Sequence, residues 1–292
     1  MTAAAEAVEA RTYYDQPVLK EPVWKPEIPW YFFAGGMAGA AAPLAFGAGL
    51  RGNDALARRA WLVALAGVSV SPVLLIKDLG RPERFYNMLR VFKVTSPMSV
   101  GSWALAAFGT ATGLSILGLR PARVAAAALG PLVSTYTAAL VADTAIPVWH
   151  EARGELPLVF AASSAASAGA ALTLVTPARD AAPARRLATA GAAAGLGLMQ
   201  AMEHRLGELG EPYHEGDAGR YARAAKALTA AGAVTLGAFG PRSRAAGALG
   251  AAAVLAGAAC ERWSVFRAGF QSARNPKYVV KPQRERAAAS AR

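Results

Sequence analysis

Long apolar runs separated by short polar clusters dominate the chain. A helix that crosses the hydrocarbon of a bilayer needs about 20 mostly apolar residues. We predict such helices over Trp30–Leu50, Ala60–Ile76, Met98–Leu119, Val124–Trp149, Leu156–Pro177, Leu187–Met202, Ala224–Gly240 and Ala245–Trp263. The last three are rich in alanine and glycine, so their hydropathy is weaker. The pattern predicts an all-α fold, a polytopic membrane helix bundle of about eight transmembrane helices.

The polar segments divide this bundle and give it two tails. Residues 1–29 form a polar N-terminal tail, residues 30–263 the transmembrane bundle, and residues 264–292 a basic C-terminal tail. The bundle splits into two four-helix halves, residues 30–149 and residues 156–263. The N-terminal tail lacks the basic start and apolar centre of a signal peptide, so we expect the first helix to stay in the mature protein.

Composition supports a lipid environment over a soluble one. Hydrophobic residues make up 54% of the chain and charged residues only 17%, whereas about a quarter of an average soluble domain is charged. The net charge of +12 would suggest nucleic acid as a partner of a soluble protein. Here the arginines flank apolar runs, where they contact lipid head groups and set topology, so no nucleic-acid partner is expected.

The connections between the predicted helices are unequal. Four short ones hold ten arginines and two acids: residues 51–59, 120–123, 178–186 and 241–244. The opposite end, called here the long-loop side, receives both tails and the long connections 77–97 and 203–223. The density of positive charge favours short loops in the cytoplasm, although most of the 31 Lys and Arg lie on the long-loop side.

Small residues and prolines indicate how the helices pack. Gly35 and Gly39 form a small-xxx-small pair, which lets a neighbouring helix approach closely. Pro72 and Pro131 lie inside predicted helices and are expected to kink them. Cys260 stands alone, so it forms no disulfide framework or thiolate metal site.

The chain lacks the ligands of a membrane haem. Its three histidines are His150, His204 and His214; the first two lie at predicted helix ends and the third in a loop. A b-type haem in a membrane usually needs axial histidines within the helices. We therefore expect no haem and no iron–sulfur cluster in this chain, and an electron-transfer role would need a partner's redox cofactor.

Two adjacent motifs carry a family resemblance. Residues 77–88 read KDLGRPERFYNM, and residues 96–103, at the start of the third helix, read SPMSVGSW. Further matching regions are WYFFAGGMAG at 30–39, Tyr136 with 147–149, and the tail from Glu261 to Tyr278. On these residues the chain resembles the NrfD/polysulfide reductase membrane subunit family.

The resemblance implies a cofactor-free membrane anchor. Such subunits exchange electrons between the quinone pool of a bacterial cytoplasmic membrane and an iron–sulfur, ferredoxin-like subunit, which is joined to a molybdopterin-type catalytic subunit. The quinone, menaquinone or ubiquinone, would bind in the half formed by residues 30–149. Some relatives place a histidine or asparagine near the start of the first helix, where this chain has Pro29, Trp30 and Tyr31.

Six residues on the long-loop side are candidates for this site. We predict Asp143 and Asp78 as a proton relay and Trp30, Tyr31, Tyr136 and Arg81 as quinone-binding residues. Tyr136 and Asp143 are seven residues apart, which places them on one face of a helix, roughly 10 Å apart. We expect Asp143 to be desolvated, and an ionisable group inside a membrane by default marks a functional site.

Each candidate also has a plainer interpretation. Asp78 can end the helix or pair with Arg81 or Lys77, and Tyr136 can be an ordinary buried tyrosine. Trp149 is better explained by an aromatic belt at the membrane surface, and Glu203 by its place at a helix end. At the level of the whole protein, the alternatives are a membrane transporter, which usually shows repeated halves, and a purely structural membrane anchor. Copurification of an iron–sulfur partner would separate these alternatives.

Overall fold

The chain folds into a bundle of long helices. A computed structural model describes residues 18–290, and over these residues it contains no β-strand. The long helices are Glu27–Leu50 (α1), Asp54–Asp78 (α2), Pro97–Ile116 (α3), Arg120–Ala142 (α4), Leu156–Val175 (α5), Ala182–Leu206 (α6), Gly216–Val234 (α7), Arg244–Arg274 (α8) and the C-terminal Lys277–Ser290 (α9). Short helical segments are Pro82–Leu89, Pro147–Glu151, Ala152–Gly154, Gly207–Tyr213 and a π-helical turn, Thr235–Phe239. The prediction of an all-α fold is confirmed.

Five of the helices are long and apolar enough to cross a membrane. They are α1, α2, α4, α5 and α8. Within the described part of the chain, α3, α6 and α7 are long enough but are not sufficiently apolar. Each of the eight predicted spans overlaps one long helix, but the number of eight membrane crossings stays a prediction.

Capping side chains begin three of the helices. Asn53 accepts a hydrogen bond on Oδ1 from the backbone N–H of Leu56, at 3.1 Å, at the start of α2. Ser96 and Ser243 hold the first turns of α3 and α8 in the same way. A helix start has backbone N–H groups without partners inside the helix, and these side chains satisfy one of them. The first turn of each helix is thus fixed by a residue that lies just before it.

The first helix lies at the centre of the bundle. α1 packs against α2, α4, α5 and α8, and small residues permit the close approach. A methyl group at Gly39 would overlap Ser134 of α4, whose hydroxyl donates a hydrogen bond to the carbonyl of Gly36 at 3.1 Å. Gly35 faces Ser71 of α2. The packing role predicted for Gly35 and Gly39 is confirmed, and residues of both halves join in one core.

The fourth helix is shorter than predicted. The predicted span ran to Trp149, but α4 ends at Ala142. Pro147 explains the break, because a proline ring clashes with the preceding residue when that residue is helical. Ile146 accordingly has an extended backbone, with φ −72° and ψ 121°. The chain then restarts as the short helix Pro147–Glu151.

Contacts at one end of the bundle tie the long-loop side together. The guanidinium of Arg274 pairs with Glu21, with Nε and Oε1 3.0 Å apart, and Arg205 pairs with Glu155. The ring of Trp24 stacks on Trp149, with centroids 5.4 Å apart. Both tails and the long connections therefore meet at this end, as predicted.

Candidate functional site

The six predicted site residues lie in different surroundings. Trp30 is 46% exposed and meets Trp263 of α8 edge to face, with ring centroids 6.2 Å apart. Tyr31, the next residue, is 1% exposed and belongs to the core. Trp30 therefore faces the second half of the bundle, whereas Tyr31 lies inside the protein.

The hydroxyl of Tyr31 is buried and lacks a hydrogen-bond partner. Its ring lies near Gly35, on the side where Ser71 of α2 also approaches. The Ser71 hydroxyl donates to the carbonyl of Gly67 at 2.7 Å. Buried hydroxyls are nearly always hydrogen-bonded, so the Tyr31 hydroxyl is an exception among the described residues.

Tyr136 of α4 packs against α3. A methyl group at Gly101 would overlap the Tyr136 ring, and Tyr136 is itself buried. Gly101 belongs to the motif at residues 96–103, so this contact joins two of the sequence regions that carried the family resemblance. The glycine is required because the aromatic ring occupies the space of a side chain.

Asp78 ends α2 and holds the segment before α1. Its Oδ1 accepts a hydrogen bond from the backbone N–H of Lys25 at 2.7 Å, and the Lys25 ammonium donates to the carbonyl of Lys77 at 3.1 Å. This contact differs from the predicted alternative of a pair with Arg81 or Lys77. Asp78 is half-buried, while Arg81 is exposed in the connection that follows.

The predicted position of Asp143 within the fourth helix is wrong. Asp143 is exposed and follows the last residue of α4. The break before Pro147 carries it out of the helix, so it does not continue the helical face of Tyr136. Asp143 and Tyr136 therefore do not form the predicted pair on one helical face.

Trp149 is a core residue and does not belong to an aromatic belt. It is fully buried, and its indole Nε1 donates a hydrogen bond to the carbonyl of Val265 at 2.7 Å. A methyl group at Gly269 would overlap its ring. The belt interpretation is therefore wrong, and Trp149 instead attaches the short helix Pro147–Glu151 to α8.

An apolar cavity of about 200 Å³ lies between α2 and α3. The short helix Pro82–Leu89 closes it at the long-loop end through Phe85, Met88 and Leu89. Its wall is formed by Val68, Pro72, Leu75 and Ile76 of α2 with Ser102, Leu105, Ala106 and Gly109 of α3. None of the six predicted residues lines it, but Ile76 precedes Asp78 by two residues and Ser102 follows Gly101.

An exposed connection covers the mouth of this cavity. Residues 80–95 are exposed apart from Met88, and they combine large apolar side chains with basic ones. Phe85, Tyr86 and Phe92 are among the exposed apolar residues. Arg81, Arg84, Arg90 and Lys93 carry the positive charge, against one acid, Glu83. The connection therefore combines exposed apolar side chains with a net positive charge.

The C-terminal segment is attached to the connection between α6 and α7. The Lys277 ammonium lies 2.7 Å from Oε2 of Glu211, and the hydroxyl of Tyr278 donates to the same oxygen at 3.1 Å. The hydrogen bond from Lys277 lowers the pKa of Glu211. Burial, followed by the hydrogen bond to Glu211, raises the pKa of Tyr278.

A charged cluster in the second half was not predicted. Glu203 is buried and pairs with Lys226, although its place at a helix end suggested an unremarkable polar residue. Lys226, Glu261 and Arg262 interrupt the weakly apolar runs 224–240 and 245–263. These charges within predicted spans were a signal for the cluster in the sequence.

Comparison with known proteins identifies the family. Among the described residues, no group of three or more His, Cys, Asp or Glu is arranged to hold a metal ion. No curated protein matches the chain. The family model NrfD_2, described as polysulfide reductase, matches residues 12–275, which is most of the chain and includes both motifs. The chain therefore belongs to the NrfD_2 polysulfide reductase family.

Proposed function

We propose that the chain is the cofactor-free membrane subunit of a respiratory oxidoreductase complex. It exchanges electrons between the quinone pool of the bacterial cytoplasmic membrane and an iron–sulfur subunit, which is joined to a molybdopterin-type catalytic subunit. Family membership and five helices apolar enough to cross a membrane support a membrane subunit of a redox complex. The quinone and the two partners are the specific parts of the proposal.

The apolar cavity between α2 and α3 is the observation that carries the proposal. Its lining is almost wholly aliphatic and aromatic, with Ser102 as the polar exception. A quinone has an apolar hydrocarbon tail and a ring with two carbonyl groups, and small-molecule sites are mostly apolar with few polar groups. The cavity suits the tail and directs the ring towards the long-loop end, where Asp78 follows Ile76 on α2.

Three of the predicted residues supply the polar chemistry of the site. Reduction of a quinone consumes two electrons and two protons, so the site needs hydrogen-bond donors for the carbonyls and a group that exchanges protons. The buried, unpartnered hydroxyl of Tyr31 and the phenol of Tyr136 are the proposed donors to a ring that reaches beyond the cavity, since neither side chain lines it. Asp78 is the proposed proton carrier, since it lies at the surface end of α2 and contacts the segment at Lys25.

The remaining predicted residues lie at the surface of the protein. Trp30 and Arg81 are exposed, so they are proposed to contact the ring or lipid head groups at the mouth of the site. Asp143 is also exposed and is proposed only as a surface proton acceptor. The basic connection 77–93 and the C-terminal tail together are the proposed docking surface for the iron–sulfur subunit, which would place its cluster close to the quinone.

Filling the cavity tests the proposal. Ala106→Phe places a ring in the cavity, whereas the control Ala107→Phe places it in the neighbouring shallow groove lined by Phe92, Trp103 and Leu132. We expect Ala106→Phe to slow quinone-linked turnover of the complex on the order of tenfold, which corresponds to about 1.4 kcal/mol of activation free energy. Turnover with a soluble artificial electron carrier should not change, because that carrier bypasses the membrane subunit.

Two results would count against the proposal. If Ala107→Phe slows quinone turnover and Ala106→Phe does not, the quinone occupies the other groove. If the chain purifies from membranes without an iron–sulfur protein and the complex shows no quinone activity, the function itself is wrong. Asp78→Asn is measured in parallel and is expected to retain assembly while it slows quinone turnover.

A further inference from the structure

An ion pair between the buried Glu203 and the partly exposed Lys226 joins α6 and α7 in the second half of the bundle. Glu203 is 7% exposed, and its Oε2 lies 2.5 Å from the Lys226 ammonium. The imidazole Nε2 of His214 lies 3.7 Å from the same oxygen, and the His214 side chain is 61% exposed. The second carboxylate oxygen of Glu203, Oε1, is buried and has no hydrogen-bond partner. One oxygen of the Glu203 carboxylate is therefore left without a partner, and the partly exposed Lys226 and the exposed His214 both connect the pair to the surface.

A second ion pair lies beside it on α8. Arg262 is 2% exposed, and its Nη1 donates to Oε1 of Glu261 at 3.2 Å. Its Nη2 donates to the carbonyl of Phe160 at 2.9 Å and to the hydroxyl of Ser164 at 3.1 Å, and the guanidinium lies over the Phe160 ring at 3.7 Å. Its Nε is buried and unpartnered. Arg262 is thus fixed in place by α5.

A small cavity separates the two pairs. Its volume is about 20 Å³, which is sufficient for one water molecule. Lys226 and Glu261 both line it, together with the hydroxyl-bearing residues Ser163, Thr229 and Ser264. A water molecule there has several polar partners within the lining, as a buried water requires. The cavity therefore offers a water-mediated link between the two carboxylate pairs.

The charges of this cluster nearly cancel. Glu203 and Glu261 carry two negative charges, and Lys226 and Arg262 carry two positive ones. Tyr213 also faces the cluster: burial, followed by the charges of Glu203 and Glu261, raises the pKa of its hydroxyl, so it stays protonated. His214 also faces the Glu203 carboxylate, and Arg223 donates to the His214 carbonyl at 3.1 Å. Because the two carboxylates balance the charges of Lys226 and Arg262, an added proton binds to one of these carboxylates or to His214.

We propose that Glu203, Lys226 and Glu261 form a proton-exchanging site that opens to the long-loop side through His214. Ionisable groups within a membrane are costly and mark proton and ion paths. In the loading step, a hydronium ion that enters past His214 gives its proton to the carboxylate of Glu261 and leaves as water. Release reverses this step, and no electrons move.

The site is separate from the proposed quinone cavity but is connected to the same helix. Arg262 and Ser164 approach α1 at Gly36, and Ser134 of α4 bonds the Gly36 carbonyl from the other side. The role of the cluster rests on the proposed function, because quinone reduction in the first half is what consumes protons. Electrons pass between the quinone and the iron–sulfur partner of that proposal, so the cluster exchanges protons alone.

Carbodiimide labelling tests the site without quinone or partner. Dicyclohexylcarbodiimide adds to a protonated carboxylic acid in an apolar setting and yields a stable acylurea that peptide mass mapping locates. The full-length chain in detergent should be labelled at Glu261, and Glu261→Gln should abolish that label. The control Glu155→Gln, which removes a carboxylate paired with Arg205 at the surface, should leave the label unchanged. Absence of label at Glu261 at every pH at which the chain is folded would overturn the proposal.

Proton uptake tests the entry route. In the complex reconstituted into vesicles, His214→Asn should slow uptake of protons from the long-loop side severalfold during quinone reduction. His204→Asn is the matched control, because His204 is also exposed and lies next to Glu203. Equal uptake by both variants would refute entry through His214. A chain that is labelled at Glu261 but has no quinone activity would support the protonatable site and refute only the proposed function.

Discussion

The contact between Gly101 and Tyr136 gives a sharp test of how the first four helices pack. Gly101→Ala adds a methyl group where the Tyr136 ring lies, so the ring or α3 must move. Gly113→Ala, on the same helix, adds the same group where nothing lies within 4 Å. The two substitutions are chemically identical, and only the surroundings of the glycine differ.

The two substitutions should change the free energy of unfolding in opposite directions. Replacing glycine by alanine inside a helix stabilises it by roughly 0.5–1 kcal/mol, and this gain applies to both positions. Overpacking of a close-packed interior costs about 1–3 kcal/mol, and this cost applies to Gly101 alone. We therefore expect Gly101→Ala to be destabilised by roughly 1–2 kcal/mol and Gly113→Ala to be stabilised by up to about 1 kcal/mol.

Denaturant unfolding of the purified protein in detergent measures both values. Quinone-linked turnover gives a second readout, since displacement of Tyr136 should slow it in Gly101→Ala and not in Gly113→Ala. If the two variants unfold alike, Tyr136 does not occupy the space beside Gly101, and the packing of α3 on α4 described here is wrong. Restored stability in the double variant Gly101→Ala with Tyr136→Leu would confirm that the phenol ring is the obstacle.

The remaining predictions concern contacts at the long-loop side. Lys277 lowers the pKa of Glu211, so their ion pair stabilises the attachment of α9 at pH values above the ordinary pKa of a carboxylate. This stabilisation is lost as the pH falls through the lowered pKa of Glu211. Hydrogen exchange of α9 should therefore rise at acid pH, and Lys277→Met should produce the same rise at neutral pH; pH-independent exchange would refute this. Trp149→Phe removes the hydrogen bond to Val265 and should cost about 1–3 kcal/mol of unfolding free energy, whereas the exposed Trp30→Phe should cost much less; equal losses would contradict the burial described for Trp149.

The sequence predicted the helices better than their ends. Apolar runs locate a helix because a lipid-facing segment must be apolar along its whole length, and every predicted span overlaps a long helix. The end of α4 was missed although Pro147 marks it, because the apolar run continues past Asp143 to Trp149. The exposure of Asp143 and the burial of Trp149 both follow from that one break.

The candidate site was harder to predict because its contacts are distant in the chain. Gly101 and Tyr136 are both in motif regions, but only the folded structure pairs them. The partner of Trp149 is the carbonyl of Val265. Every residue has a backbone carbonyl, so the sequence does not indicate which one accepts this hydrogen bond. Lys226 and Glu261 were visible as charges in apolar runs, yet their common cavity depends on how α7 packs on α8.

The central position of α1 has a consequence for biosynthesis. A ribosome delivers α1 first, but one of its faces is completed only when α8 arrives, since Arg262 packs at Gly36 and bonds the Phe160 carbonyl and the Ser164 hydroxyl. Until then, that face of the oldest helix is open to lipid or to an insertion chaperone. A nascent chain that stops before Arg262 lacks this contact, so the face of α1 at Gly36 stays incompletely covered until α8 is inserted.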